Sequence, residues 1–155
     1  ARFINQAFGG TIGWENYYRT ADINLGEKIV IIRTEPFNPV ILSDAEMAEL
    51  STKINETTNL SNYSQIRAHF RPHFTDEFIN KLIHNGGIEN NGVMTEDASA
   101  ASVTYRSNTE ARFFQSEMIY WENQLVHRDR YVSLKFEDNR WKVADVDVRI
   151  VLYRG

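Results

Sequence analysis

The sequence predicts an α+β fold, with N-terminal helices packed on a curved, mainly antiparallel β-sheet formed largely by the C-terminal third. Apolar residues at helical spacing, together with good helix caps, occupy the middle of the chain. Aromatic and β-branched residues at strand spacing occupy the last third. Because the helical segments precede the strands as a block, the order favours an α+β arrangement.

The region before the helices contains one clear strand signal. The segment "EKIVIIRT" (27–34) is rich in β-branched residues and is predicted to be a buried strand. Glycines at positions 9, 10 and 13 interrupt the aromatic-rich stretch before it, which predicts a short helix or turn and a following segment.

The first helix is predicted to begin after Ser43. Ser43 is a good N-cap and Glu46 follows at the capping-box spacing. This helix is expected to direct Met47, Leu50 and Ile54 toward the core.

Two further helices are predicted, over 59–70 and 74–87. Thr75 caps the later helix and Gly86 follows its end. Between them, the segment "HFRPH" (69–73) has two histidines at the spacing of a helical metal site. Because Pro72 cannot continue a helix, we expect the earlier helix to end near residue 70 and the histidines to diverge, without binding a metal.

The last third is predicted to form an antiparallel meander. Val132, Leu134 and Phe136 share one face of a strand, and 137–139 forms the turn to the next one. In the final strand the apolar residues change from odd to even positions. A slip of one residue reverses the buried face, so a β-bulge is predicted near Ala144 and Asp145.

Composition excludes several functional classes. The chain of 155 residues has no cysteine, which excludes thiolate catalysis, cysteine-bound zinc, iron–sulfur clusters and disulfides. Its formal net charge of −4 does not favour nucleic-acid binding, and no apolar run is long enough for a transmembrane segment. Without any internal repeat or linker-like segment, one domain over residues 1–155 is expected. The start at Ala1 without methionine fits a processed exported protein or a shortened chain, and an extracytoplasmic or secreted location is the expectation.

Two groups of polar residues are candidate sites. His127 shares a strand face with Asp129 and could meet Asp145 or Asp147 from the neighbouring strand, which would place a general base in a pocket. The alternative is an exposed polar face on which Arg128, Arg130 and Arg149 pair with acids across strands.

The second group lies in the polar loop 88–102, "IENNGVMTEDASAAS". Glu89, Asn91, Glu96 and Asp97 are its candidate binding residues, and the loop is expected to be solvated. A plain surface connection between a helix and a strand is equally compatible with this composition.

Two resemblances follow from these segments. Helices followed by strands ending in "YVSLKFEDNRWKVADVDV" resemble the NTF2-like cone fold. "ILSDAEM", "HFTDEFINKL", "NNGVMTEDASA" and "EDNRWKV", in this order after a Gly-Gly segment, are similar to the bacterial IseA family of secreted inhibitors of cell-wall DL-endopeptidases. That resemblance implies inhibition by an acidic loop inserted into the basic catalytic cleft of the target, and the matching loop would be 89–97. The chain departs from the family pattern at Ala98-Ser99, where Gly-Gly is expected, and lacks the tyrosine-arginine pair before the first helix.

The function predicted is therefore that of a non-catalytic extracytoplasmic domain, without a cofactor, that binds another protein, in its sharpest form a cell-wall hydrolase. One alternative is a cone that binds a small ligand or acts as an isomerase or dehydratase through His127. The other is a scaffolding module of a secretion or conjugation apparatus, which would expose a sizeable apolar patch.

Overall fold

The structure is a computed structural model that describes residues 11–15, 20–25, 28–33, 36–89, 92–95 and 102–152. The chain divides into two compact units, residues 1–39 and 40–155. The single domain expected from the sequence stays a prediction, and each unit is described by itself.

The first unit contains a three-stranded antiparallel sheet. Its strands are β1 (Thr11–Glu15), β2 (Thr20–Leu25) and β3 (Lys28–Arg33), in the order β1-β2-β3. The strand predicted at 27–34 is confirmed, but Ile32 is 45% exposed, so that side chain is not buried as expected. Strands β1 and β2 are not predicted from the sequence, because glycine and polar residues interrupt their apolar pattern.

Helix α1 (Asp44–Glu56) opens the helical part of the second unit. The predicted capping box is present: the Ser43 amide donates to Glu46 Oε2 at 2.8 Å, and Ser43 Oγ accepts from the Glu46 amide at 3.3 Å. All three predicted core residues of this helix are buried.

The predicted second helix is broken in two. A single 3₁₀ turn covers Leu60–Asn62, and α2 covers only Ile66–Phe70. The Asn59 side chain accepts a hydrogen bond from the Ser61 amide at 3.3 Å. Asn and Ser side chains compete in this way with helical backbone bonds, which explains why the helix does not begin at residue 59.

Helix α3 (Asp76–Asn85) has the predicted ends. Thr75 Oγ1 accepts from the Phe78 amide at 3.2 Å, which satisfies a donor of the first turn. Gly86 has φ 76° and ends the helix in the left-handed region that glycine adopts without strain.

The second unit ends in an open four-stranded antiparallel sheet. Its strands are β4 (Ser102–Tyr105), β5 (Glu110–Trp121), β6 (Gln124–Glu137) and β7 (Arg140–Leu152), paired in chain order. Two-residue turns at 122–123 and 138–139 have positive φ at both positions, the geometry that matches the twist of a tight hairpin.

The predicted bulge is present in β7. Ser133 pairs with Asp145 and Leu134 with Val143, which leaves Ala144 as the extra residue. The bulge returns Val146 to the face on which Val143 lies, so the apolar phase of the sequence and the buried face of the sheet agree.

The core lies between the helices and one face of this sheet, which confirms the α+β prediction. Aromatic rings of Phe70, Phe74 and Phe78 form a row in which neighbouring centroids lie 5.1 and 5.2 Å apart. Among the helices described, none has the length and apolar character needed to cross a membrane. The other buried apolar residues of this core are Leu42, Met47, Leu50, Ile54, Leu60, Ile79, Leu82, Ala111, Phe113, Val132, Leu134, Trp141 and Val143. Met94 and Val126 are also buried but are not part of this core.

Candidate protein-binding site

The helix-facing side of the second sheet changes from apolar to polar along β6. Val132 and Leu134 are fully buried in the core. Arg128 and Arg130 share their face because side chains alternate along a strand. The polar part of this face lies beneath the loop that follows α3, and its hydrogen bonds reach that loop.

Arg130 is the centre of this polar region, and its side chain is fully buried. Its Nη1 atom donates to Asn55 Oδ1 at 2.8 Å and to the Gly92 carbonyl at 3.1 Å. Its Nη2 atom donates to Gln115 Oε1 at 2.6 Å and to Ser51 Oγ. One guanidinium therefore joins helix α1, strand β5 and the loop.

All of these partners of Arg130 are neutral. Burial lowers the pKa of Arg130 to about 10, against the favourable charge of Glu117, so the guanidinium stays protonated at neutral pH. Within the described part of the chain its Nε atom is buried without a hydrogen-bond partner. A buried charge raises the free energy of the folded state unless its hydrogen bonds are kept. Because the Gly92 carbonyl is one of the acceptors, Arg130 attaches the loop to the fold.

Glu117 connects the same polar region to the loop at Thr95. It is 7% exposed and accepts from Arg128 Nε at 2.7 Å and from the Thr95 amide at 3.1 Å. Burial raises the pKa of Glu117, but the hydrogen bonds from Thr95 and Arg128 and the charge of Arg128 together outweigh it, and its pKa lies below the ordinary value. The carboxylate is thus charged at neutral pH and holds Thr95 in place.

The Asn55 side chain forms two hydrogen bonds with the loop backbone at Met94. Its Nδ2 donates to the Met94 carbonyl at 2.9 Å, and its Oδ1 accepts from the Met94 amide at 3.1 Å. Met94 itself is 3% exposed and Gly92 is buried. The expectation of a solvated loop is therefore wrong for these two residues.

The start of the loop is fixed by its approach to the end of α1. The Ile88 amide donates to the Thr57 carbonyl at 3.2 Å. Gly87 has φ 117°, and a Cβ at this position would lie 2.2 Å from the same carbonyl oxygen. Only glycine permits this approach.

We call Asn55, Glu117, Arg128 and Arg130 the anchor network, because these side chains from α1, β5 and β6 hold residues 92–95 in place.

The structure places one of the four predicted loop residues. Glu89 is exposed, and it borders a groove of about 570 Å³ between α3, the loop and β7. Asn91, Glu96 and Asp97 lie outside the described residues, so their role stays a prediction.

The alternative group around His127 is brought together in part. Ser116 Oγ lies 3.4 Å from His127 Nδ1 and donates to Asp129 Oδ1 at 2.7 Å. Asp145 instead contacts Lys81 at 2.7 Å, and Asp147 contacts Arg149 at 2.8 Å. The partner of His127 on β7 is Val151. The two aspartates of β7 therefore do not meet His127.

The two histidines of "HFRPH" diverge as expected. His69 Nε2 lies 2.8 Å from Glu56, whereas His73 Nε2 lies 2.7 Å from Glu49, so each contacts a different turn of α1. No group of three or more His, Asp or Glu side chains in the described ranges is arranged to hold a metal ion. Both histidines attach the 66–73 segment to α1.

The expectation of an exposed polar face is wrong for Arg128 and Arg130. Both lie on the helix-facing side, and Arg130 has no direct carboxylate partner among the described residues. The signal was present, because both arginines share even numbering with the buried Val132 and Leu134. The pairing of Arg128 with Glu117 across β5 and β6 does agree with the expectation.

Comparison of the chain with protein-family models, curated proteins and solved structures gives no match. The resemblances to the IseA family and to the NTF2-like fold therefore stay predictions.

Proposed function

We propose that this chain is a non-catalytic extracytoplasmic domain that binds a protein through the loop following α3. The observation that supports it is the anchor network, which fixes Gly92, Met94 and Thr95 by side chains from α1, β5 and β6. A loop attached at this many points loses little conformational entropy when a partner binds it, so more of the contact energy appears as affinity.

The partner that this loop fits is a protein with a basic cleft. Glu89 is exposed at one end of the anchored segment, and the sequence adds Glu96 and Asp97 just beyond the other end. Acidic side chains on both sides of a fixed segment favour association with a positively charged surface and speed it at low salt. The sharpest form of the proposal is inhibition of a cell-wall DL-endopeptidase.

The experiment that tests this is a titration of the protein into a purified DL-endopeptidase acting on peptidoglycan, at low and high salt. We expect stoichiometric inhibition that weakens as salt increases. The variant Glu89→Gln/Glu96→Gln/Asp97→Asn should lose inhibition and keep its melting temperature.

A matched control removes the same number of charges elsewhere. Glu77, Glu122 and Glu137 are exposed and lie outside the loop, so their replacement by Gln should leave inhibition intact. Absence of inhibition by the unmodified protein at molar excess, or equal loss in both triple variants, would reject the endopeptidase proposal.

A second candidate is the scaffolding module of a secretion or conjugation apparatus, and one observation favours it. At the tip of the β5–β6 hairpin, Met118, Tyr120 and Leu125 are 59%, 81% and 37% exposed. Their strand register places them on one face, with Val151 of β7 beside them. Tyr120→Ser should weaken association with other copies or components if this tip is an assembly contact, and sedimentation velocity would measure the change.

A further inference from the structure

Strand β7 is an edge strand, and the outer edges of its two halves differ in their backbone hydrogen bonds. The Val143 amide donates to the His73 carbonyl at 2.8 Å, and the Val143 carbonyl accepts from the Thr75 amide at 2.9 Å. The chain between α2 and α3 therefore covers the edge at Val143. No neighbouring strand pairs with β7 on this side in the described sheets, and beyond the bulge the described residues make no such backbone bonds to its edge.

The direction of the uncovered backbone groups follows from the pairing. The Phe136 amide donates to the Thr109 carbonyl at 2.8 Å, so even-numbered residues of β6 point their backbone groups toward β5. Val132 pairs with Val146, and Arg130 with Val148. The backbone groups of Val146, Val148 and Ile150 therefore point away from β6, out of the sheet edge.

The side chains of this segment are self-complementary when two copies run antiparallel. Asp147 and Arg149 are 52% and 63% exposed on one face, and they are the only charged residues between positions 146 and 152. The opposite face carries the apolar Val146, Val148 and Ile150. If Val148 lies opposite Val148 of a second copy, Asp147 faces Arg149 and Arg149 faces Asp147.

We propose that β7 pairs with β7 of a second copy of this chain, antiparallel and centred on Val148. The pairs 146–150, 148–148 and 150–146 each exchange two N–H···O bonds across the two-fold axis. The pairs 147–149 and 149–147 occupy the non-hydrogen-bonded positions, where opposed side chains come closest.

The charges also select this register over its neighbours. A pairing centred on Arg149 places Arg149 opposite Arg149, and a pairing centred on Asp147 places Asp147 opposite Asp147. Like charges directly opposed on a sheet are destabilising, so the arrangement centred on Val148 is favoured: it pairs opposite charges twice and opposes no like charges.

The surface beside the edge has room for the second strand. The groove of about 570 Å³ runs along Val146 and Val148 and is lined on its far side by Phe78, Leu82 and Ile88. The inward side chains of the second copy, Val148 and Ile150, would enter this groove and bury apolar surface. The covered edge at Val143 limits the pairing to residues after the bulge.

Sedimentation equilibrium of the 155-residue chain tests this pairing. We expect the unmodified protein to dimerise, and Asp147→Arg or Arg149→Asp alone to weaken dimerisation at least about tenfold, since each opposes like charges twice. An equimolar mixture of the two single variants should dimerise again, because every 147–149 pair is then of opposite charge. The double variant Asp147→Arg/Arg149→Asp should behave like the unmodified protein.

Val148→Pro is a second, independent variant. Its missing N–H belongs to the outer edge, so we expect the fold to survive and the dimer to be lost. A monomer at the highest concentrations measured, a mixture that does not associate, or a folded Val148→Pro variant that still dimerises would overturn the proposal. Since the protein is measured alone, these outcomes do not depend on endopeptidase binding.

Discussion

The two parts of the helix-facing side of the sheet are held by different forces. Around Phe113, Val132 and Leu134 the sheet contacts α1 and α3 through close-packed apolar side chains. Toward the β5–β6 turn the same face carries Glu117, Arg128 and Arg130, which contact a loop through hydrogen bonds and charge. The first part stabilises the fold, whereas the second positions residues 92–95 on it.

The largest expected effect on stability comes from a change in the first, apolar part. Phe113 is fully buried in the core, so Phe113→Ala removes a large apolar contact and leaves a cavity. We expect the free energy of unfolding to fall by about 3–5 kcal/mol. Urea denaturation followed by circular dichroism measures it, and a loss below about 1 kcal/mol would contradict the assigned core.

In the polar part, Arg130→Met should lower the free energy of unfolding by less than Phe113→Ala does. The change leaves the Asn55, Gln115 and Gly92 acceptors without their donor, but it also removes a buried charge. We expect a loss of about 2–3 kcal/mol, measured by the same denaturation. Arg67→Met is the matched control, because Arg67 is exposed and lies outside both the polar part and β7, and should change stability by less than about 0.5 kcal/mol.

The contribution of Glu117 should depend on pH. Its pKa lies below the ordinary 4.5 in the folded protein, so the unfolded chain takes up the proton first as the pH falls. The stabilisation is present above about pH 4.5 and is lost as the pH falls through the folded pKa.

Glu117→Gln should therefore lose about 1–2 kcal/mol at pH 7, and its stability should fall less than that of the unmodified protein between about pH 5 and pH 3. Thermal melts across this range measure the difference. Parallel pH profiles for the two proteins would show that Glu117 contributes nothing to the acid dependence.

The smallest expected effect is that of the helix cap at Ser43, which belongs to neither part. Ser43→Ala removes one acceptor from the first turn of α1 and should cost about 1 kcal/mol. Hydrogen exchange at the Met94 and Thr95 amides should change no more than exchange in the rest of the protein. A selective change at those two amides would connect the cap to the loop and contradict the separation of the two parts.

The fold was largely predictable because its signals are local. The cap at Ser43, the glycine after α3, the break at Pro72 and the bulge at Ala144 each depend on neighbouring residues in the sequence. The helix predicted over 59–70 was wrong at its start because its Asn and Ser side chains compete for backbone groups.

The anchor network was not predicted, because it joins residues far apart in the chain. Asn55 lies 75 residues from Arg130 and 39 from Met94. Strand alternation alone would have placed Arg130 on the inner face of the sheet. Nothing in the local sequence indicates that its partners there are an amide, a hydroxyl and a loop carbonyl.

Amide hydrogen exchange at Met94 and Thr95 tests the central claim, that the side chains of the anchor network hold this loop, most directly. In the unmodified protein both amides should exchange slowly, since Asn55 and Glu117 accept from them. In Asn55→Ala the Met94 amide should exchange much faster, while the Ile79 amide within α3 keeps its protection relative to global unfolding. Rapid exchange of both loop amides in the unmodified protein would contradict the account.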